Sequence, residues 1–304
     1  MNIQHLHHED IDRERWDAVV TSATTGLPYA MSWYLDIVSP GWEALVTYTS
    51  EGDYDIVFPL PVKPLFHVRR LVQPVLTQQL GLFSSRRVSE GEVMSFLQAI
   101  PYRSYALQLN EANPIESLKA SRRINLTVSL EWTYENLVKF YSENTRRNVK
   151  KSSGLTFEPV SIEEFVPFCR RYNTHNIASE RTLVSLLEAA ESKGMSVLCG
   201  VRQPGEGDLL ASAFLLKTRR RLVYLLPASS PEGRRKSAMF RLVDEILREN
   251  CSSSLTMDFE GSMVGSVARF YQGFGAQERA YYGVSRFHPE WLVRLYHRMK
   301  GEMY

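Results

Sequence analysis

Cysteine is scarce in this chain, and long apolar runs are missing. The three cysteines of the 304 residues, Cys169, Cys199 and Cys251, stand far apart with no paired metal-ligand spacing, and they read as reduced core thiols. No window reaches the roughly 18 apolar residues of a membrane span. The first residues, MNIQHLHHEDIDRERW, lack the basic-then-apolar pattern of a secretory leader, so a cytoplasmic address is expected. A net charge of +2 gives no general pull toward nucleic acid or anionic membrane. Gly-x-Ser-x-Gly, a Walker loop and a dinucleotide fingerprint are all absent, which argues against a serine nucleophile elbow, ATP and nicotinamide cofactors. His5, His7 and His8 sit at a polar terminus without a clear fourth ligand, and they read as solvated groups, with no metal expected.

Hydrophobic residues make up 44% of the chain and charged residues 23%, ordinary for a globular protein, and the length suits two domains with separate cores. A helix is expected over residues 10–23, followed by strands over 42–49 and 54–59 around the hairpin signal Glu51-Gly52-Asp53. Strand material at 70–75 precedes a helix carrying Val93, Phe96, Leu97 and Ile100 on one face, which Pro101 ends, and a strand at 104–109. The second half repeats this order, with strands over 197–201, 209–216 and 222–226, a helix over 237–250, and strands over 255–259 and 281–287. The pattern suggests a duplicated α/β unit, residues 1–125 and 126–304, each a mixed and largely antiparallel sheet flanked by helices. No fixed-period repeat accompanies it.

Residues 255–276, LTMDFEGSMVGSVARFYQGFGA, carry the chemistry. Alternation in the strand puts Asp258 and Glu260 on one face, because side chains alternate across a pleat. Ser262 or Ser266 is placed to cap the next helix, in which Val267, Phe270, Tyr271 and Phe274 form one apolar stripe that ends on Gly273 and Gly275. A tyrosine in such a stripe serves equally as a packed side chain or as a proton donor.

These residues resemble the end of the GNAT acyltransferase fold, in which a tyrosine just before a Gly-Phe pair protonates the departing coenzyme A thiolate; Tyr271 holds that position. DFEGS followed by VARFYQGFGA is similar to the Fem-like proteins of that superfamily, double-GNAT relatives of enzymes that add amino acids to peptidoglycan precursors. FPLPVK at residues 58–63 and QPVLTQQLGLFSS at 73–85 extend the likeness over most of the chain. The resemblance implies two tandem GNAT-like domains and N-acyl transfer, with Glu260 deprotonating an amine, Asp258 orienting it and Tyr271 acting as the acid. The donor is an acetyl-coenzyme A, a longer acyl-coenzyme A or another carrier thioester. A cell-wall precursor, an amino lipid or a small amine is the acceptor, and transfer RNA is a less favoured partner.

The GNAT donor loop carries Arg or Gln, two free positions, Gly, one free position, then Gly or Ala. Arg234 takes the first place, and Ser237 and Met239 replace the two small residues, so Arg234, Arg235, Lys236, Ser237 and Ala238 mark a degenerate pyrophosphate site at a helix N-terminus. A solvated basic turn is the other reading. Arg146 and Arg147, beside Lys150 and Lys151, either complement a helix C-terminus or meet an anionic substrate, while Leu137, Phe140 and Tyr141 face a core. Gln78 and Gln79 either reach substrate or satisfy buried backbone groups. Arg219, Arg220 and Arg221 read as solvated hairpin charges, and Trp291, Leu292, Leu295, Tyr296 and Met299 as one face of a final helix that packs on its own domain. A non-catalytic module that keeps the fold but binds only an anionic ligand or a cell-envelope precursor is the competing interpretation.

Overall fold

A computed structural model describes residues 1–65, 68–115, 120–173, 178–205, 207–261 and 264–286. The chain divides into two compact units. Among the described residues, those of Met1–Thr25, Tyr29–Arg123 and 281–286 form the first, and those of Gly26–Pro28 with Ile124–Ala280 form the second.

The first unit contains β1 (Gln4–Leu6), α1 (Arg13–Ser22), α2 (Ser32–Val38), β2 (Glu43–Tyr48), β3 (Tyr54–Leu60), β4 (Val62–Leu65), β5 (Val68–Val72), α3 (Glu90–Ala99) and β6 (Tyr105–Gln108). Strands β1, β2 and β3 form an antiparallel sheet, and the expected hairpin turns on Gly52, whose φ of +93° suits a residue without Cβ. A second set pairs β4 with β5 antiparallel, β5 with β6 parallel, and β6 with residues 283–286 antiparallel. Helix α3 begins with a full capping box between Ser89 and Glu92, then buries Val93, Phe96 and Leu97 against Leu45, Phe58 and Leu107.

The N-terminal histidines are more engaged than expected. His5 of β1 and His7, just past its end, lie 2.7 and 3.4 Å from the carboxylate of Glu43 of β2, and Glu43 is buried. Their ligand atoms lie within 4.8 Å of one another, but the same carboxylate also accepts from the Arg69 guanidinium and the Tyr102 hydroxyl. A cation there would have to displace the arginine. Burial opposes ionisation of Glu43, yet the bonds from Tyr102, His5 and Arg69 outweigh it and hold the carboxyl below its ordinary value.

In chain order the next elements are β7 (Ser121–Ser129), α4 (Tyr134–Leu137), α5 (Glu143–Lys151), β8 (Thr156–Pro159), α6 (Ile162–Tyr172), α7 (Glu180–Ser192), β9 (Ser196–Arg202), β10 (Leu209–Lys217), β11 (Arg221–Ser229), α8 (Pro231–Arg235), α9 (Ala238–Asn250), β12 (Thr256–Asp258), α10 (Gly265–Gln272) and β13 (Gln277–Arg286). The strands of the second unit lie in the order β7-β12-β11-β10-β9-β8, antiparallel throughout except between β11 and β12. Its core gathers Leu222 and Tyr224 of β11, Met257 of β12, Phe259, Leu242 of α9 and Phe274.

Several local devices fix the helices. Ser142, Ser161 and Ser179 accept from the N3 amides of α5, α6 and α7, satisfying one free donor at each start. Asp244, fully buried on α9, accepts from the Tyr134 and Tyr141 hydroxyls at 2.8 and 3.1 Å and so ties α9 to the segment around α4. Leu137 and Tyr141 are buried as expected, but Phe140 is not: it lies 54% exposed beside the half-exposed Trp132. Burial raises the thiols of Cys169 and Cys199 to about 11 and about 12. Among the described residues, no helix is long and apolar enough to cross a membrane. The expected final helix, with Trp291, Leu292, Leu295, Tyr296 and Met299, lies outside the described residues.

Candidate functional site

Strands β11 and β12 run parallel for three rungs, Arg221 to Thr256, Leu222 to Met257 and Val223 to Asp258, and then separate. Strand β11 continues to Ser229, bonded to β10 on one side, whereas β12 ends at Asp258. From Tyr224 onward β11 therefore has no strand on its other side among the described residues, and a wedge opens between two parallel strands. The divergence comes from two consecutive left-handed residues, Glu260 at φ +56° and Gly261 at φ +62°. Gly261 is required there, since a Cβ would stand 2.2 Å from the Ile124 carbonyl oxygen and 2.8 Å from the Asn125 Cα. Glu260, which has a Cβ, carries strain that structure around a functional site commonly holds in place.

What holds it is Asp258. One of its oxygens accepts the Glu260 amide at 2.9 Å, and the other accepts from the Arg221 guanidinium at 2.6 Å. Both side chains are buried, Asp258 at 0% and Arg221 at 6% exposure. Arg221 is thus corrected from a solvated turn charge to the buried counter-ion of this carboxylate, while Arg219 and Arg220 are exposed as expected. The expected pairing of Asp258 and Glu260 on one strand face also gives way. Alternation stops where β12 stops, and Asp258 spends its oxygens on Arg221 and the backbone, leaving Glu260 as the partly exposed carboxylate.

Tyr271 projects from α10 onto this turn. Its ring stacks on Phe259 at 4.4 Å with 15° between planes, and meets Tyr224 edge-on at 6.1 Å. The side chain is 6% exposed; burial raises its pKa, and the negative charge of Glu260 raises it further. A phenol in that field stays protonated at neutral pH and is a donor next to a carboxylate. Tyr224, raised well above its ordinary pKa by burial, donates to the Met239 sulfur at 2.9 Å. Helix α10 starts at Gly265 behind Val264, with no side-chain cap. Ser266 is therefore inside the helix rather than capping it, and Ser262 lies outside the described residues. Gly273 closes the helix in right-handed geometry, and the left-handed glycine is Gly275 at φ +84°.

On the proposed donor side, the expected open loop is partly helical. Ser230 caps the short α8 with Pro231 at its first position, and Gly233 presses on β10 so closely that a Cβ would lie 2.0 Å from the Leu210 oxygen. Arg234 donates to the Ser229 carbonyl at 2.9 Å, Arg235 pairs with Glu232, and Lys236 stands 3.4 Å from Glu232. Ser237 takes a left-handed conformation at φ +60° and donates to Asn148 of α5 at 2.8 Å. Ser237 and Ala238 are buried, so the exposed part of this segment is the arginine and lysine run.

The two basic clusters, far apart in sequence, meet in space. Lys151 of α5 donates to the Arg235 carbonyl at 2.8 Å, which places the C-terminal ends of α5 and α8 together. Within α5, Arg146 is engaged by the carbonyls of Val138 and Lys139 and Arg147 by Asn144, while Lys150 is exposed. A cavity of about 580 Å³ opens beside α8, lined among others by Glu164, Arg171, Asp208, Ser230, Glu232 and Arg235. Gln78 and Gln79 belong to the first unit. Gln79, fully buried, accepts the Glu111 amide at 3.0 Å and donates to Gln78 at 2.7 Å, which is the backbone-satisfying arrangement.

Sequence reasoning missed Arg221 as an Asp258 partner and Tyr224 as the third ring of the cluster. The one available signal was the alternation of β11, which puts Tyr224 with Leu222 on its core face ahead of the register shift that follows.

No family model matches the chain, and no curated protein does. Solved structures do. FemX superposes with a TM-score of 0.67 at 13% identity, over 97% of this chain and 99% of FemX. L-PGS of Bacillus licheniformis superposes at 0.51 and 14% identity over 95% and 96% of the two chains. A tandem GNAT protein from the clavulanic acid biosynthesis pathway does so at 0.50 and 10% identity, over 95% and 100%. The chain carries the Fem-like tandem GNAT fold, a mixed α/β architecture.

Proposed function

We propose that the second unit transfers an acyl or aminoacyl group from an activated donor to an amine. The observation that carries this reading is the wedge between β11 and β12, with Glu260 at its turn and the raised, protonated Tyr271 within reach of that charge. An acceptor amine gives a proton to Glu260, directly or through water, and its lone pair attacks the donor carbonyl. The tetrahedral intermediate collapses with cleavage of the carbon–sulfur bond of a thioester, and Tyr271 protonates the leaving thiolate. Asp258 acts as a positioning residue, since it holds the Glu260 backbone in its left-handed turn. Beyond Val223 no strand pairs with this edge of β11 among the described residues, which leaves room there for a carbonyl.

An acyl-coenzyme A is the donor we favour, its phosphates lying on the patch made by Lys150, Lys151, Arg234, Arg235 and Lys236. Cell-wall-precursor and lipid amines are the acceptors this fold's neighbours bring to mind, alongside small amines. Buried Ser237 and Ala238 favour a second reading, a module that binds anions without transfer.

Calorimetric titration with acetyl-, longer acyl- and free coenzyme A separates the two. The expected result is saturable heat, with the dissociation constant rising about tenfold in Lys150→Glu/Arg235→Glu, the loss of one to two charge-assisted contacts. Absence of heat with every coenzyme A species defeats the thioester donor. A steep fall of transfer RNA affinity with salt would then identify an aminoacyl carrier.

A further inference from the structure

We infer that His5, His7 and Glu43 bind one divalent transition-metal ion of the zinc class, which enters by displacing the Arg69 guanidinium. The strand register gathers the three. Strand β1 pairs antiparallel with β2 through His5 to Leu45 and Leu6 to Ala44, so His7, still extended at φ −75° and ψ 163°, comes opposite Glu43. His5, two residues back, falls on the same face, because side chains of an extended chain alternate. Two imidazoles of one segment thus meet one carboxylate of the next strand, with ligand atoms all within 4.8 Å of one another. Neighbouring ligand atoms on a tetrahedral zinc ion stand about 3.4 Å apart, so shifts of roughly an ångström bring these onto one ion, with water in the open fourth place.

The place is already built for positive charge. Glu43 is 2% exposed, and a buried carboxylate is costly unless donors or cations face it, so this one gathers His5, His7, Arg69 and Tyr102. Arg69 is the partner that can leave. Its side chain is 52% exposed, and Glu43 is its one ion-pair partner among the described residues, so its head group passes to water at little cost. Arg69 shares Oε1 of Glu43 with His7, whereas the Tyr102 hydroxyl donates to Oε2. Departure of the arginine therefore frees the oxygen nearest His7 while Tyr102 keeps the carboxylate oriented, the part an outer-shell donor plays at metal sites. Each imidazole turns a lone pair to the ion and carries its proton on the other ring nitrogen. His8 stays out of the site, since its Nδ1 lies 3.1 Å from the Trp42 carbonyl oxygen and its Nε2 2.9 Å from the Arg13 guanidinium.

Two imidazoles beside one carboxylate favour zinc and its neighbours over magnesium and calcium, which take oxygen ligands. The ion has a structural consequence. Strand β1 is three residues long and pairs with β2 alone, so a metal bridging His5 and His7 to Glu43 fastens this edge of the first sheet. All of these residues belong to the first unit, and the site is independent of the transfer chemistry proposed for the second.

The test titrates Co²⁺, which takes zinc's ligands and absorbs visible light when it does, into the untagged full chain near neutral pH. Absorption that saturates at one equivalent is expected, abolished by one equivalent of Zn²⁺ and untouched by excess Mg²⁺. His5→Gln and His7→Gln are each expected to weaken binding by more than about 100-fold, beyond the range of an outer-shell partner. Arg69→Gln is expected to tighten it about fivefold, the worth of one exposed ion pair that no longer has to break. Absence of saturable absorption overturns the inference, as does displacement by Mg²⁺. Unchanged affinity in either histidine variant overturns it by placing the ion elsewhere, and unchanged affinity in Arg69→Gln does so by showing that the ion and the guanidinium do not compete. Zn²⁺ in hundredfold excess over its dissociation constant is also expected to raise the unfolding midpoint of the wild type and not of the double variant His5→Gln/His7→Gln. An equal rise in both overturns the inference, and none of these readings requires turnover.

Discussion

Glu260→Gln is expected to lower kcat by about 100- to 10,000-fold, the span that a positioned general base contributes, with little change in stability. Its carboxylate is partly exposed at a turn whose geometry depends on backbone and on Asp258, both retained in the variant. Tyr271→Phe keeps the ring stacked on Phe259 and removes only the hydroxyl, so the same unfolding midpoint with a lower kcat is expected. The pH profiles discriminate further. Burial first, then the charge of Glu260, raises the phenol above its ordinary value near 10, so its proton is present throughout the neutral range and is lost only well above pH 10. The wild type therefore shows no alkaline limb below pH 10 from the acid. Turnover by both variants at the wild-type rate with a true substrate would remove these residues from the chemistry.

Asp258→Ala is expected to cost about 3–5 kcal/mol of unfolding free energy, because it leaves the Arg221 guanidinium buried without its counter-ion. Replacing both partners by apolar residues, Arg221→Met with Asp258→Leu, is expected to recover most of that loss, since a buried ion pair seldom outperforms well-packed hydrocarbon. The double variant still lacks the oxygen that accepts the Glu260 amide. Stability regained with turnover still depressed is the expected pattern in urea unfolding and steady-state kinetics. Recovery of both together would show Asp258 to be purely structural.

Much of the second unit was legible from periodicity. The apolar spacing of 237–250 gave α9 within one residue at its start, and the pattern of 255–276 gave a strand, a turn and a helix carrying Tyr271. Three features were not, each for a physical reason. Left-handed φ at Glu260 has no signature in a residue type that avoids that region, and only Gly261 hinted at the turn. The Arg221–Asp258 bond joins positions 37 apart, and a third consecutive arginine at a hairpin carries no sign that β11 begins at Arg221 and buries it. The basic runs at 146–151 and 234–236 are each explicable as helix-end charges. Their meeting depends on the packing of α5 against α9, through Ser237 and Asn148, which no local pattern encodes. Local chemistry also misled in the other direction. Ser230-Pro231 is a strong helix start, and it turned a stretch expected to be an open loop into α8.

The depth of the cysteines has a practical side. With Cys169 at about 11 and Cys199 at about 12, these two buried thiols hold almost no thiolate at pH 7 to 8, and burial shifts Cys251 upward as well. For the thioester donor proposed above, a chromogenic disulfide reagent added to the reaction is expected to count the thiol set free by turnover over the small contribution of these two buried cysteines. Colour that develops without substrate reports chains that have come apart.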